Sequence, residues 1–290
     1  GVTTHVDIAS EFRYREPPMR PGGMAFFISQ SGETADTLAA LRYAKSQHQK
    51  IMVLVNAPES SMAREADHVY EMYAGPEVGV ASTKAFTAAL MVLGLMSVKW
   101  GVARGRLAGA QGDEALQSLR DVPALVNSVI SAPEAFQKLA TELARATNVL
   151  YLGRGAMVPI AFEGALKLKE LSYIHAEAFA GGELKHGPIA LIDDKTPVIY
   201  LMPSDSLYEK NASNVQEIRA RKGQVVVLTE GDSGKLDLQG SEHIILPPTT
   251  AFSAPIVYSV PMQLLAYYTA VEKGTDVDQP RNLAKSVTVE

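Results

Sequence analysis

A short turn between a predicted strand and a predicted helix concentrates hydrogen-bonding side chains. The strand, Met24 to Ile28, is followed by Ser29-Gln30-Ser31-Gly32-Glu33-Thr34, in which four residues carry neutral polar side chains: Ser29, Gln30, Ser31 and Thr34. Such a turn holds a phosphate through backbone N–H groups, hydroxyls and the helix dipole. Because no Lys follows the glycine, the turn is not a Walker A loop and does not imply ATP with magnesium. The alternative interpretation is that Ser29 or Ser31 only caps the helix.

A second candidate lies on a helix predicted from about Val158 to Ser172. Glu163, Lys167 and Glu170 follow one another at i, i+4 and i+7, so they share one face. One interpretation is an exposed row of ion pairs. The other is a carboxylate base beside a cation, the pairing that moves a proton alpha to a carbonyl. Gly164 favours the second, because a helical glycine costs about 1 kcal/mol relative to Ala unless something must approach closely.

The third candidate is His186, in the glycine-rich segment Gly181-Gly182-Glu183-Leu184-Lys185-His186-Gly187-Pro188. A histidine there can donate and accept protons near neutral pH, although a lone loop histidine is more often structural. His175 and Glu177 do not complete a metal-binding spacing with it, so the sequence predicts no metal site and no cofactor. Gly153-Arg154-Gly155 follows a strand but lacks the third glycine of a dinucleotide fingerprint, which makes a plain tight turn the better interpretation.

The composition excludes several classes of protein. The 290 residues include no Cys, so disulfides, Cys-ligated metal centres and a Cys nucleophile are absent from the chain. With 27 Lys+Arg against 32 Asp+Glu the formal charge is −5, and no basic cluster predicts a nucleic-acid partner. An apolar content of 47% and a charged content of 20% are typical of an ordinary globular protein of about two domains.

The sequence also predicts a cytoplasmic protein with no membrane partner. The strongest apolar stretch, Ala85 to Val98, is shorter than the length needed to cross a bilayer. Residues 1–20 show no apolar core before a small-residue cleavage site, so no secretory signal is predicted.

The elements that must position these residues occur twice. Short apolar runs alternate with helix-period segments, which is typical of an α/β protein with buried parallel sheets. Phe26 and Ile199, like Val53 and Val226, are 173 positions apart, and His68 and His243 are 175 apart. The sequence therefore predicts two copies of one fold.

The second copy begins earlier in its own pattern than the first. It opens with a predicted strand, Val149 to Leu152, and the helix that follows, whose counterparts would precede Gly1. We therefore expect a first subdomain over 1–105 that lacks its first strand and helix, and a helical connector over 106–148. A second subdomain would cover 149–273, and a C-terminal tail 274–290. A complete five-stranded first sheet would contradict this expectation.

Five motifs give the chain a family resemblance. They are Ser29-Gln30-Ser31-Gly32-Glu33-Thr34-Ala35-Asp36-Thr37, Gly79-Val80-Ala81-Ser82-Thr83-Lys84-Ala85-Phe86, Glu163-Gly164-Ala165-Leu166-Lys167-Leu168-Lys169-Glu170, Gly182-Glu183-Leu184-Lys185-His186-Gly187-Pro188 and Asp278-Gln279-Pro280-Arg281-Asn282-Leu283-Ala284-Lys285-Ser286-Val287-Thr288-Val289-Glu290. Together they resemble the isomerase region of the glutamine–fructose-6-phosphate aminotransferases, over essentially the whole chain. The Ser-x-Ser pattern alone would indicate only the wider sugar-isomerase (SIS) family.

The resemblance implies a fold and a binding site. The fold is two SIS subdomains, each a flavodoxin-like parallel sheet flanked by helices, the first of them truncated. In the site, Ser29, Gln30, Ser31 and Thr34 would hold the 6-phosphate of fructose 6-phosphate. Val80, Ser82 and Ala284 would line the sugar.

The resemblance also implies a mechanism. His186 would assist ring opening, reaching the site from the neighbouring subunit of a homodimer. Lys285 would form a Schiff base with C2 of the open-chain ketose, and ammonia would then displace it. Glu170 would move a proton from C1 to C2 while Lys167 steadies charge at the C1 oxygen, and the product would be glucosamine 6-phosphate.

Two departures from the family limit what the resemblance predicts for this chain. The family's glutaminase domain, with its cysteine nucleophile, is not in the sequence, so we expect no glutamine hydrolysis and an external source of ammonia. The hydroxyl-rich turn after the family's first strand is also missing. Two rival functions remain at this point: a non-catalytic SIS module that senses sugar phosphate and regulates a partner, and a dimerisation domain without a ligand.

Overall fold

A computed structural model describes residues 1–231 and 241–286, so the end of the C-terminal motif, 287–290, lies outside the described residues. The chain forms two compact units. Unit 1 is Gly1–Arg106 together with the tail that begins at Asn282, and unit 2 is Leu107–Arg281.

Unit 1 is a three-stranded parallel sheet covered by helices. Its elements are α1 (Ala9–Arg15), β1 (Met24–Ser29), α2 (Ala35–Ser46), β2 (Lys50–Val55), α3 (Ser61–Glu65), β3 (His68–Glu71) and α4 (Lys84–Ala103), with strand order β1-β2-β3. Strand β2 is buried on both faces: Ile51 and Val53 pack with Leu41 of α2, whereas Leu54 packs with Ala85 of α4. Coverage of both faces explains why this strand is continuously apolar after Lys50.

Helix α4 continues past the apolar run, through Lys99 and Trp100 to Ala103, and so reaches 20 residues. By length and composition alone it is the one helix in 1–231 and 241–286 that could cross a membrane, with a mean hydropathy of 1.6. The apolar run Ala85 to Val98 is itself shorter than a membrane span, because Lys99 ends it inside the helix. Its inner face, including Ala85 and Ala89, packs against the sheet of unit 1.

Unit 2 contains a five-stranded parallel sheet. Its elements are α5 (Gly109–Ile130), α6 (Glu134–Leu143), β4 (Asn148–Gly153), α7 (Met157–Ser172), β5 (His175–Ala180), two 3₁₀ turns (Gly181–His186 and Pro188–Leu191), β6 (Pro197–Met202), α8 (Tyr208–Arg219), β7 (Gln224–Glu230), β8 (Glu242–Leu246) and α9 (Ala254–Lys273). The strand order is β5-β4-β6-β7-β8. Leu150 and Leu152 of β4 face a core shared with Val215 of α8, while Tyr151 contacts α7 on the other face.

The two sheets confirm the predicted fold class. The order β1-β2-β3 in unit 1 matches β6-β7-β8 in unit 2, and all of these strands are parallel. In the described residues unit 1 has no counterpart of β4 and α7, as the 173-residue offset predicted. Gly109 and Gly112 lie in the first turn of α5, where Gly112 is buried, so tertiary packing outweighs their low helix propensity.

Candidate active site

The polar turn after β1 is organised by its own hydroxyl groups. Ser29 Oγ accepts a hydrogen bond from the Gly32 N–H at 3.0 Å, and Ser31 Oγ accepts one from the Glu33 N–H at 3.2 Å. The N-cap position of α2 belongs to Thr34, which makes no side-chain cap hydrogen bond. The two serines therefore shape the turn, and neither occupies the N-cap position of the helix.

Helix α3 braces this turn from behind. Gly32 has a φ of 65°, and a Cβ at this position would lie 2.5 Å from Ser60 Cβ. The Ser61 N–H donates to Glu33 Oε1 at 2.6 Å, and hydrogen bonds from Ser61 hold the pKa of Glu33 below its usual value. The Asn56 N–H donates to the Gln30 carbonyl at 3.1 Å. The turn is thus held in one conformation that requires glycine at its centre.

The C-terminal tail meets the same unit at two points. Lys285 Nζ donates to Glu77 Oε2 at 2.6 Å and to the Gly79 carbonyl at 2.8 Å. The hydroxyl oxygens of Ser286 and Ser31 are 3.3 Å apart. Lys285 therefore lies in unit 1 beside the loop that continues to the predicted sugar-lining residues Val80 and Ser82, and the next residue of the tail touches the polar turn.

Glu77 connects that loop to the start of α4 by hydrogen bonds. Its Oε1 accepts hydrogen bonds from the N–H groups of Thr83, at 2.9 Å, and Ala85, at 3.2 Å. Burial raises the pKa of Glu77, but the hydrogen bonds from Lys285, Thr83 and Ala85 outweigh burial and leave the pKa below its usual value. The carboxylate is therefore ionised and engaged on both oxygens.

On α7, a buried Lys167 lies between two half-buried carboxylates, Glu163 and Glu170. Lys167 is 3% exposed, and its Nζ lies 2.6 Å from Glu170 Oε2 and 3.5 Å from Glu163 Oε1. The interpretation as an exposed row of ion pairs does not describe this arrangement. Burial has the largest effect on the pKa of Glu163 and raises it. The Glu170 carboxylate also raises this pKa, whereas Lys167 lowers it, and the net result is a pKa above the usual value. The trio thus places a fixed carboxylate next to a fixed ammonium, as proton transfer beside a carbonyl requires.

Gly164 has a different explanation from the one that the sequence favoured. A Cβ at this position would lie 2.6 Å from Met262 Sδ and 3.0 Å from Tyr151 Cε1. The close neighbours are therefore helix α9 and strand β4 of the same unit. The glycine permits helix packing and carries no information about a ligand.

His186 ends the first 3₁₀ turn and is exposed. Lys185 next to it pairs with Glu217 of α8 at 2.9 Å. At the start of the same turn, Gly181 packs against Tyr200, whose hydroxyl donates to Asn214 of α8 at 3.2 Å. In the described part of unit 2, no hydrogen bond or ion pair joins His186 to Lys167 or Glu170.

The predicted site residues are divided between the units. The residues assigned to phosphate, sugar and Schiff base belong to unit 1: Ser29, Gln30, Ser31, Thr34, Val80, Ser82, Ala284 and Lys285. Lys167, Glu170 and His186 belong to unit 2. Within 1–231 and 241–286, no group of three or more His, Asp or Glu side chains could hold a metal ion.

Comparison with known proteins decides the family. A model of the SIS domain matches residues 1–99 and 142–273. The chain belongs to the SIS-domain family. The SIS protein named glutamine–fructose-6-phosphate aminotransferase (isomerizing) of Bradyrhizobium diazoefficiens is 54% identical over 290 residues, which is 100% of this chain and 48% of that protein. The enzyme of that name from Zymomonas mobilis is 53% identical over 292 residues, again 100% of this chain and 48% of that protein.

A solved structure agrees with these relatives. The C-terminal domain of glucosamine-fructose-6-phosphate aminotransferase from Francisella tularensis superposes with a TM-score of 0.92 at 42% identity, covering 95% of this chain and 78% of that one. The resemblance read from the five motifs is thereby confirmed. This SIS chain spans about half the length of the curated relatives, 48% in each of the two cases above.

Sequence reasoning missed two groups that hold this SIS chain's tail. The first is Glu77, a single acidic residue in an irregular loop, with no periodicity to mark it. The second is Tyr173, whose hydroxyl accepts a hydrogen bond from the Arg281 N–H at 2.8 Å while its ring lies 4.2 Å from the Arg281 guanidinium carbon. The sequence contains only a compositional signal for this contact: Arg281 is a cation in the C-terminal tail, and Tyr173 is an aromatic residue directly after α7. A cation and an aromatic ring attract each other when they meet.

Proposed function

We propose that this SIS chain is the isomerase part of a glutamine–fructose-6-phosphate aminotransferase, which converts fructose 6-phosphate and ammonia to glucosamine 6-phosphate. The observation that carries the proposal is Lys167, 3% exposed and held between the carboxylates of Glu163 and Glu170. A module that only binds a sugar phosphate does not need a carboxylate and an ammonium fixed for proton transfer. The names of the relatives support the same reaction.

The phosphate is bound by the polar turn after β1. Ser29, Gln30, Ser31 and Thr34 provide neutral donors, and the N-terminus of α2, where Thr34 makes no side-chain cap hydrogen bond, provides the positive end of a helix dipole. Neutral donors suit a phosphomonoester that needs anchoring without transfer of its phosphoryl group. Val80, Ser82 and Ala284 line the sugar beyond it.

Covalent capture follows binding. His186 moves the proton that opens the sugar ring and exposes the C2 carbonyl. Lys285 loses one ammonium proton to solvent, and its neutral amine adds to C2. The carbinolamine expels water and leaves a C2=Nζ double bond. Ammonia then adds to C2 and displaces the lysine, leaving a C2 imine.

Proton transfer completes the reaction. Glu170 takes a proton from C1 and returns it to C2. The C1 hydroxyl loses its proton and the C2 imine nitrogen gains one, by exchange with solvent, so the C2 imine with a C1 hydroxyl becomes a C2 amine with a C1 aldehyde. Lys167 stabilises the charge that develops on the C1 oxygen between these two steps. The 2.6 Å contact between the two side chains fixes their relative position before substrate arrives.

The ammonia, the subunit arrangement and the cellular location also belong to the proposal. The relatives' names include glutamine, and they are about twice as long as this chain, so a glutaminase domain supplies the ammonia. The active unit is a homodimer in which His186 serves the neighbouring subunit. The enzyme is cytoplasmic, because a charged sugar phosphate does not cross a bilayer unaided.

A test of the function uses Glu170→Gln in the complete protein. Formation of glucose 6-phosphate from fructose 6-phosphate, and of glucosamine 6-phosphate with added ammonium, should fall about 100-fold or more. Glu177→Gln, an exposed carboxylate on β5, is the matched control and should retain both activities. A wild-type rate in Glu170→Gln would refute the assignment of the base. Binding of fructose 6-phosphate by a wild-type protein that turns nothing over would instead indicate a sensing module.

A further inference from the structure

Glu77 is buried in unit 1, and the reaction proposed above does not use it. Its side chain is 4% exposed, and Oε2 lies 2.6 Å from Lys285 Nζ. The Gly79 carbonyl accepts a second hydrogen bond from the same ammonium at 2.8 Å. The lysine assigned to the Schiff base is thus held at its reactive atom by two oxygen atoms of one loop.

The carboxylate that holds Lys285 is itself fixed. Its other oxygen accepts the N–H groups of Thr83 and Ala85, where α4 begins. Glu77 therefore spans the loop that contains Val80 and Ser82 and attaches it to the helix behind. The lysine side chain has four methylene groups and loses much conformational entropy when it is held in one place. The ion pair with the fixed Glu77 carboxylate orders this side chain before the sugar arrives, so the entropy is not lost during the reaction.

We infer that Glu77 is a positioning residue for the reaction: it holds the Lys285 amine beside the sugar-lining loop, so that C2 of the open-chain ketose meets it. The inference rests on the proposed function, because it assumes that Lys285 forms the imine. Glu77 does not contact the sugar in this scheme and acts only through Lys285. Its replacement should therefore slow imine formation without weakening binding of a sugar that cannot form an imine.

The test measures both quantities in the complete protein. Fructose 6-phosphate with sodium borohydride reduces the C2=Nζ imine to a stable secondary amine, and peptide mapping locates the adduct. Glucitol 6-phosphate, which has no carbonyl group, reports binding alone by calorimetry. The variants are Glu77→Gln, which keeps size and loses charge, and Glu77→Asp, which keeps charge. Glu65→Gln is the control, since it removes the exposed ion pair with Arg42 in the same unit.

We expect Glu77→Gln to lower the trapping rate at Lys285 about tenfold or more, with Glu77→Asp between it and wild type and Glu65→Gln at the wild-type rate. Affinity for glucitol 6-phosphate should stay at the wild-type value in all variants. Equal trapping in Glu77→Gln and wild type would overturn the role of Glu77 alone. An equal loss of trapping and glucitol 6-phosphate binding would assign Glu77 to the shape of the loop and also overturn it. A wild-type protein without a Lys285 adduct would instead refute the Schiff base of the proposed function, and this inference with it.

Discussion

Lys167 Nζ lies 2.6 Å from Glu170 Oε2, one turn apart on α7, and the Lys167 side chain is buried while that of Glu170 is half-buried. An ammonium in such a place is stable only because carboxylates neutralise it, and here Glu163 provides the second one at 3.5 Å. The ion pairs that the proposed chemistry requires therefore also contribute to the stability of unit 2.

Removal of the cation should destabilise the protein strongly. Lys167→Met leaves the half-buried carboxylates of Glu163 and Glu170 without their cation, which costs about 3–5 kcal/mol of unfolding free energy. Urea unfolding of the variant and the wild type measures the difference. Lys138→Met is the matched control, because Lys138 makes an ion pair of the same 2.6 Å length with Glu242 but its side chain is 66% exposed. The control should lose about 0–1 kcal/mol. Equal losses in the two variants would contradict the argument from burial.

Glu163 should make stability fall as pH rises. Burial first, and Glu170 second, raise its pKa above the usual 4.5 in the folded state, so the folded protein binds this proton more tightly than the unfolded chain. The folded state therefore loses stability as pH rises from 4.5 through the raised value, and the loss then stays constant. Unfolding free energies measured across this range should show Glu163→Gln gaining on wild type as pH rises. A difference that is independent of pH would refute this prediction.

Glu77 should show the opposite dependence. Burial opposes its ionisation, but hydrogen bonds from Lys285, Thr83 and Ala85 lower its folded-state pKa below 4.5. Its contribution to stability is therefore complete above 4.5 and is lost as pH falls through the lowered value. Relative to Glu77→Gln, wild type should lose its advantage on acidification, as measured by urea unfolding below 4.5. An advantage that grows on acidification would show that burial dominates this carboxyl.

The strands and helices that could be predicted were those whose burial has a regular pattern. Strand β2 is apolar from Ile51 to Val55 because helices cover both faces, and that pattern is visible in the sequence alone. Strand β5, His-Ala-Glu-Ala-Phe-Ala, has no β-branched residue, and it is a strand because its whole length pairs with β4. That pairing is a tertiary effect that no local propensity reports.

The same limit applies to the candidate site. The trio on α7 could be predicted because its three members share one helix face. The contact of Glu77 with Lys285 joins residues 208 positions apart, and neither residue lies in a helix or strand. Gly164 misled the sequence reasoning for a related reason, since the neighbour that requires glycine there is Met262 on a helix much later in the chain.

The polar turn should tolerate no side chain at Gly32. Gly32→Ala places a Cβ against Ser60 in addition to the strain of a positive φ, so the turn must shift. We expect affinity for fructose 6-phosphate, measured by calorimetry, to fall about tenfold or more because the hydroxyls lose their arrangement. Gly75→Ala is the matched control: its φ of 67° is nearly the same as the 65° of Gly32, but nothing lies within 4 Å of the new Cβ. The control should lose stability from φ strain alone and keep its affinity. Similar affinities in the two variants would show that the conformation of the turn does not determine phosphate binding.

His186 is exposed, and in the described part of unit 2 no hydrogen bond or ion pair joins it to Lys167 or Glu170. An exposed histidine is accessible to the active site of another subunit, as the proposed function requires. This can be tested by complementation. His186→Ala and Glu170→Gln should each be nearly inactive as pure dimers. After the two are mixed and allowed to exchange subunits, each mixed dimer contains one site with both residues intact, so about a quarter of wild-type activity should return for random reassociation of a two-fold dimer. Two variants of one residue, Glu170→Gln and Glu170→Ala, serve as the control mixture and should restore nothing. If His186 acted within its own subunit, the first mixture would also stay inactive, although co-purification of differently tagged subunits would still detect the mixed dimers.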